Sequence, residues 1–392
     1  MRFNRRLLLW SGLGATIAAA LGRDHWQRSE IEAEQAELRQ LYNPTESIQT
    51  AFRSDMTALK DTLSVQQSVK LRSPTVPYDR KISKLLITGS KICTYQYLRG
   101  KYQADYDGSI ASLPLYSEGF TSFKQVTSFK ADEQVEESIP VEIPISELSA
   151  NQNLHQLRDR LNETKGVIQD QVKQVVQLQQ KISVYYGFLL TSPKVNLLML
   201  RGTQRQTEWL ENVLALQAPY SDPKTETAIG KVHYGIYDFY KTFLAKPIAE
   251  AVQSLDPTKP LLVSGHSLGA ALAVFASMEV ALLYPKLRPN LRLYAYAGPR
   301  VGDKEFIEAH SNLIPNHYRI VNLADTIPLL PMSKQLNIEF VHGGEQWSFL
   351  SYQGDIMPNH IVETYRTAIA KEAEAKIRRK VNQEFNNVQL RL

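Results

Sequence analysis

Gly265-His266-Ser267-Leu268-Gly269 sets a serine between two glycines where an apolar run gives way to a helix-forming one. Ahead of it, Leu261-Leu262-Val263-Ser264 is a short apolar run entered from Pro260 and reads as a buried strand. Behind it, Ala270-Ala271-Leu272-Ala273-Val274-Phe275-Ala276 reads as a helix. The glycines let strand and helix approach each other, and the serine between them is forced through a tight turn. Strand, turn and helix in this order describe a nucleophile elbow. Ser267 Oγ then stands at the carboxyl edge of a sheet, beside a helix N-terminus that favours negative charge.

A serine hydroxyl needs a base, and the base needs an orienting carboxylate. On a sheet with this elbow the chain order is serine, acid, histidine. Two histidines follow both the elbow and a plausible acid, His342 and His360. Asp325 is the expected acid. It follows the strand-like Tyr318-Arg319-Ile320-Val321 and precedes Thr326-Ile327-Pro328, where a strand gives way to a loop. His360 ends the polar turn Gly354-Asp355-Ile356-Met357-Pro358-Asn359-His360 and is the expected base. His342, at the end of a strand, and His233, ahead of the elbow, are expected to be structural. His266 is expected to turn away from Oγ and pack against the sheet. An oxyanion hole would use the N–H of Leu268 and a donor from an earlier strand end. Val195-Asn196-Leu197-Leu198-Met199-Leu200 is that strand, Arg201-Gly202-Thr203 ends it, and Thr203 is the expected second donor.

These stretches together resemble the fungal-type, or class 3, lipase family. The resemblance rests on Leu200-Arg201-Gly202-Thr203 with Glu208-Trp209-Leu210-Glu211-Asn212, on Val232-His233-Tyr234-Gly235, and on the pentapeptide. It also rests on Tyr296-Ala297-Gly298-Pro299-Arg300-Val301-Gly302-Asp303 with Arg319-Ile320-Val321-Asn322-Leu323-Ala324-Asp325. It covers about residues 183–368, with a weaker match over 80–132. The resemblance implies an α/β-hydrolase fold with a mostly parallel central sheet. It implies hydrolysis of acyl esters of glycerolipids by Ser267, Asp325 and His360, with Thr203 and Leu268 as oxyanion donors, and it requires no metal or organic cofactor. By position, residues 207–216 match the family's lid, and Trp209, Val213 and Leu216 fall on one helical face.

The 392-residue chain is 43% hydrophobic and 22% charged, ordinary for a globular enzyme. A net charge of +5 permits contact with anionic lipid and carries no nucleic-acid signature. Cys93 is the single cysteine, which excludes an intrachain disulfide and a cysteine-rich metal site. Arg5-Arg6 precedes an uncharged run over 7–22, short for a membrane span, so residues 1–22 read as an export signal or signal-anchor. Residues 23–80 are expected to form an N-terminal helical region, with Asn43-Pro44-Thr45-Glu46 starting a helix. The hydrolase domain is expected over 81–392, with a helix near 91–98 and a first strand near 121–131.

Within that domain, 133–182 is expected to be a helical insert. Its first part is extended by Pro140 and Pro144. From Asn151 onward Leu154, Leu157, Leu161, Ile168, Val172, Val175 and Ile182 repeat as in a coiled-coil seam, which suggests self-association or a protein partner through 150–182. Two other functional classes fit the same residues. One is another serine acyl hydrolase or acyltransferase on this fold. The other is an inactive membrane-tethered scaffold acting through the insert.

Overall fold

The computed structural model describes residues 66, 68–103, 105–144, 171–202, 216–331, 333–335, 338–354 and 356–371. In chain order its main elements are α1 (Arg80–Tyr102), β1 (Lys124–Pro144), β2 (Gln171–Thr191), β3 (Asn196–Leu200), β4 (Gln217–Ser221) and β5 (Ala228–His233). There follow α2 (Tyr234–Phe239), a π-helical turn Tyr240–Leu244, α3 (Ala245–Val252), β6 (Leu261–His266), α4 (Leu268–Leu283), β7 (Leu291–Tyr296), α5 (Lys304–Leu313) and β8 (His317–Asn322). Last come the short pair β9 (Lys334–Gln335) and β10 (Ile338–Glu339), then β11 (Glu345–Phe349), α6 (Ile356–His360) and α7 (Val362–Lys371).

The central sheet has the order β1-β2-β3-β6-β7-β8-β11. The pairs β1–β2 and β2–β3 are antiparallel, and β3, β6, β7, β8 and β11 run parallel. Asn196-Leu197-Leu198-Met199-Leu200 is buried along its whole length, which explains its near-continuous apolar reading: a parallel strand is covered on both faces. Leu197 and Met199 join Leu86, Ile87 and Ile92 of α1, whereas Leu198 and Leu200 join Leu272 and Phe275 of α4 and Phe306 of α5. Each such buried side chain contributes about 1.5–3 kcal/mol relative to exposure. Helices on both faces of a mostly parallel sheet, with the elbow after a central strand, constitute the α/β-hydrolase fold.

Asp79 caps α1 by accepting from the N–H groups of Lys81 at 2.7 Å and Ile82 at 3.1 Å. The segment before it departs from the helical region expected over 23–80. Residues 68–79 hold no helix. Pro74 and Pro77 remove helical donors, and the N–H groups of Lys70, Arg72, Thr75 and Val76 go to the side chains of Glu308, Ser311 and Asn316. Residues 1–65, with the signal segment and the helix expected from Asn43, lie outside the described residues. Among those described, no helix is long and apolar enough to cross a membrane.

The helical insert expected over 133–182 is corrected where it is described. Residues 133–144 continue β1 and 171–182 begin β2, paired from Glu133↔Ile182 out to Pro144↔Gln171. The apolar pattern that suggested a helical seam also fits a strand: Val172, Val176, Leu178 and Ile182 are spaced by even numbers, the period of an extended chain. The chain is rich in β-branched valine there, and the extended Pro-containing strand opposite is its ladder partner. Residues 171–182 are thus a strand in place of the helix expected there, and 145–170 lie outside the described residues. So do Thr203 and the lid-like stretch up to residue 215.

Candidate active site

Ser267 follows the last residue of β6 and caps α4 with φ 60° and ψ −128°, the strained backbone an elbow demands of a residue with a side chain. The turn closes because Gly265 has no Cβ: one built there would lie 2.2 Å from the Gly269 carbonyl oxygen and 2.7 Å from that of Leu200. The end of β3 lies against the same turn. A Cβ on Gly202 would stand 3.2 Å from Ser267 Cβ and 3.5 Å from the Leu268 nitrogen. Leu268 opens α4, and the first N–H groups of a helix have no carbonyl one turn back.

Three side chains from separate parts of the chain form one hydrogen-bonded row. Ser267 Oγ is 2.9 Å from His360 Nε2, and His360 Nδ1 is 2.8 Å from Asp325 Oδ2. A carboxylate only accepts, so Nδ1 carries the proton and Nε2 faces the serine as an acceptor. Asp325 has two further donors, the Tyr365 hydroxyl at 2.7 Å on Oδ2 and the Ile327 N–H at 2.9 Å on Oδ1. Ser267, Asp325 and His360 are each 2–3% exposed.

Three contributors escaped the reading of the sequence. Asn322, the last residue of β8, donates to the Ser351 carbonyl at 2.8 Å and the Asn359 carbonyl at 2.9 Å. It therefore ties β8, the strand ahead of Asp325, to the turn that carries His360. The Tyr365 hydroxyl accepts the Asn322 N–H at 3.0 Å while donating to Asp325, and burial pushes it well above the ordinary tyrosine range. His266 does more than pack against the sheet: its Nε2 lies 2.7 Å from the His360 carbonyl oxygen. In the sequence Tyr365 stands five positions after His360, and no local pattern marks its contact with Asp325.

The remaining expected residues sort plainly. His342 donates from Nε2 to the Pro328 carbonyl at 2.7 Å, and His233 is buried and lowered to about 4 by that burial. Both are held neutral in the interior, His342 by its burial and then by nearby Arg319 and Arg300. Of the two expected oxyanion donors, Leu268 sits beside the serine and Thr203 lies outside the described residues.

Comparison with known proteins fits this geometry. Residues 197–335 match the family described as lipase (class 3). The matched stretch takes in Ser267 and Asp325 and ends before His360. A lipase of Rhizopus niveus is 31% identical over 168 residues, 41% of this chain and 41% of that protein. The secreted mono- and diacylglycerol lipase A of Penicillium cyclopium is 37% identical over 108 residues, 26% of this chain and 32% of that protein. The chloroplastic phospholipase A(1) DAD1 of Arabidopsis thaliana is 29% identical over 145 residues, 33% of this chain and 32% of that protein. The matches thus span well under half the length of these relatives. Residues 197–335, on which the elbow and Asp325 both lie, are thus similar to the class 3 lipase family.

Proposed function

We propose that this protein is a serine carboxylic-ester hydrolase that cleaves acyl esters of glycerolipids through an acyl-enzyme intermediate. The observation that carries the reading is the row Ser267–His360–Asp325, with contacts of 2.9 and 2.8 Å, mounted on an elbow whose serine has φ 60°. The related proteins support the substrate class: their names span a lipase, a mono- and diacylglycerol lipase and a phospholipase A(1), and an acyl ester is common to them.

In this reading His360 Nε2 takes the hydroxyl proton as Ser267 Oγ attacks the ester carbonyl. Asp325 keeps the proton of Nδ1 in place and stabilises the imidazolium, and the Tyr365 and Ile327 donors keep the carboxylate oriented. The N–H of Leu268 and a donor from Thr203 receive the oxyanion, and losing one such donor costs about 2.7–4 kcal/mol of barrier. His360 then protonates the leaving alcohol. Water adds to the acyl-enzyme with the same base, giving a carboxylic acid and the free serine.

A fluorophosphonate probe with peptide mapping tests the reading. Labelling at Ser267 is expected, absent in His360→Ala. Ser267→Ala is expected to fold as the parent does and to lose about six orders of magnitude in kcat. A folded parent that the probe leaves unlabelled, with and without detergent micelles, overturns the proposal. We extend it to an exported or membrane-tethered enzyme on the strength of Arg5-Arg6 and the uncharged run over 7–22. Recovery of the active protein in the cytosol of the producing cell overturns that extension.

A further inference from the structure

His266 immediately precedes the nucleophile, and its ring reaches the backbone of the base. Nε2 lies 2.7 Å from the carbonyl oxygen of His360, in a contact that is buried at both ends. The two rings sit 4.8 Å apart between centroids, and the Tyr365 ring meets His266 edge-on at 5.4 Å. The carbonyl of His360 closes the five-residue helix α6, so it is one of the terminal acceptors that a helix leaves unpaired. A buried acceptor of that kind needs a donor, and the ring of His266 supplies it.

We infer that His266 is a positioning residue for the base: by donating from Nε2 to the His360 carbonyl it fixes the base's own peptide to the residue next to the nucleophile. The inference rests on the serine-hydrolase reading and deepens it. Two adjacent residues of one rigid elbow then define both ends of the proton transfer. Ser267 presents the hydroxyl to the His360 ring, and His266 holds the backbone from which that ring hangs. The distance of 2.9 Å between Oγ and Nε2 is set within a single turn of chain instead of across two independent loops.

The ring has to donate without carrying charge. A carbonyl oxygen only accepts, so the proton lies on Nε2. A second positive charge 4.8 Å from the His360 ring would oppose the imidazolium that ester cleavage requires. His266 is held well below the ordinary histidine range, first by burial, then by the neighbouring His360, with Lys91 of α1 adding to it. Tyr365 faces the ring as a neutral group, its hydroxyl proton held by burial and by the Asp325 carboxylate. A neutral donor is what this environment selects.

Two substitutions separate the hydrogen bond from the space the ring fills. His266→Leu keeps an apolar side chain and removes the donor. His266→Gln restores a neutral donor that does not titrate. With a soluble short-chain ester, His266→Leu is expected to lose about 100-fold in kcat with KM within about twofold, because a base misplaced by about an ångström costs that order. The rate of covalent inactivation by a fluorophosphonate is expected to fall in parallel, and His266→Gln is expected to recover most of both losses. Should the leucine variant melt lower yet turn over at the parental kcat, the residue is structural only and the inference fails. Equal losses in the two variants implicate shape instead of donation and also overturn it. A parent that neither turns over nor labels sinks the hydrolase reading first and the inference with it. Nitrogen-15 NMR of the parent gives a check independent of folding in the variants. The His266 ring is expected as the neutral Nε2–H tautomer at about pH 7, and an Nδ1–H tautomer or a charged ring there overturns the assignment.

Discussion

Ser267 and His360 stand 2.9 Å apart, yet the chain holds the first with backbone and the second with side chains. At the elbow, the close approach of Gly265 to the carbonyls of Gly269 and Leu200 leaves the serine one conformation. At the base, a short helix is suspended from polar side chains. Asn322 grips the carbonyls of Ser351 and Asn359, Asn359 accepts the Gln353 N–H at 2.8 Å, and Thr364 donates to the Pro358 carbonyl at 2.6 Å. The contrast teaches how differently the two halves respond to mutation. A steric lock fails when atoms are added, and a hydrogen-bonded suspension fails when donors are removed.

The largest effect expected is on the acid. Asp325→Asn presents an amide where His360 Nδ1 needs an acceptor, and the wrong tautomer should lower kcat by about four orders of magnitude with the fold kept. A loss below about tenfold would mean that another group orients His360. Acid probes the scaffold instead of the suspension. Burial lowers His233 to about 4 and His310 to about 3. Unfolded, each takes its proton near pH 6.5, so between about 6.5 and those values the unfolded chain binds more protons. The stability these neutral histidines contribute is complete above about pH 6.5 and is lost as pH falls, at about 1.4 kcal/mol per pH unit for each group. The urea midpoint should therefore drop between about pH 7 and about pH 5, and a constant midpoint would count against their burial in neutral form.

Gly265→Ala tests the steric lock directly, because its Cβ would meet backbone atoms at 2.2 and 2.7 Å. We expect a loss of about 3 kcal/mol in unfolding free energy and of fluorophosphonate labelling. A variant with parental stability would show that the elbow is not fixed by this approach. Tyr365→Phe sharpens the other half. It deletes one donor to Asp325 and the acceptor of the Asn322 N–H, and should cost about 1 kcal/mol of stability with a kcat reduced by roughly tenfold. If kcat falls and stability does not, the hydroxyl acts on the carboxylate alone.

The same contrast accounts for what the sequence reveals. The elbow is legible because its cause lies in five consecutive residues, and Asp325 because a strand that runs into Thr326-Ile327-Pro328 must end there. His360 is reached by chain order. The roles of Asn322, Tyr365 and His266 arise from contacts across 29 to 94 positions of chain, which no local pattern encodes. The stretch 171–182 misleads for a different reason. Val172, Val175 and Ile182 suit a helical period, Val172, Val176, Leu178 and Ile182 an alternating one, and the decision belongs to the strand 133–144 opposite, which no window centred on 171–182 contains.

The antiparallel pair β1–β2 stands at one margin of the sheet. Among the described residues β1 is the terminal strand and β2 meets β3 over Gly187–Thr191, so the pairs from Glu133↔Ile182 outward have no third described strand beside them. Two residues inserted into each arm there would add rungs at the far end, at about 3.3 Å per residue, and leave every interior register unchanged. One residue inserted at the start of β6 would turn each later position of that strand, Val263 among them, to the opposite face of the sheet and carry the elbow off its neighbours. Changes of chain length are therefore tolerated at one margin of the sheet and ruinous at its centre.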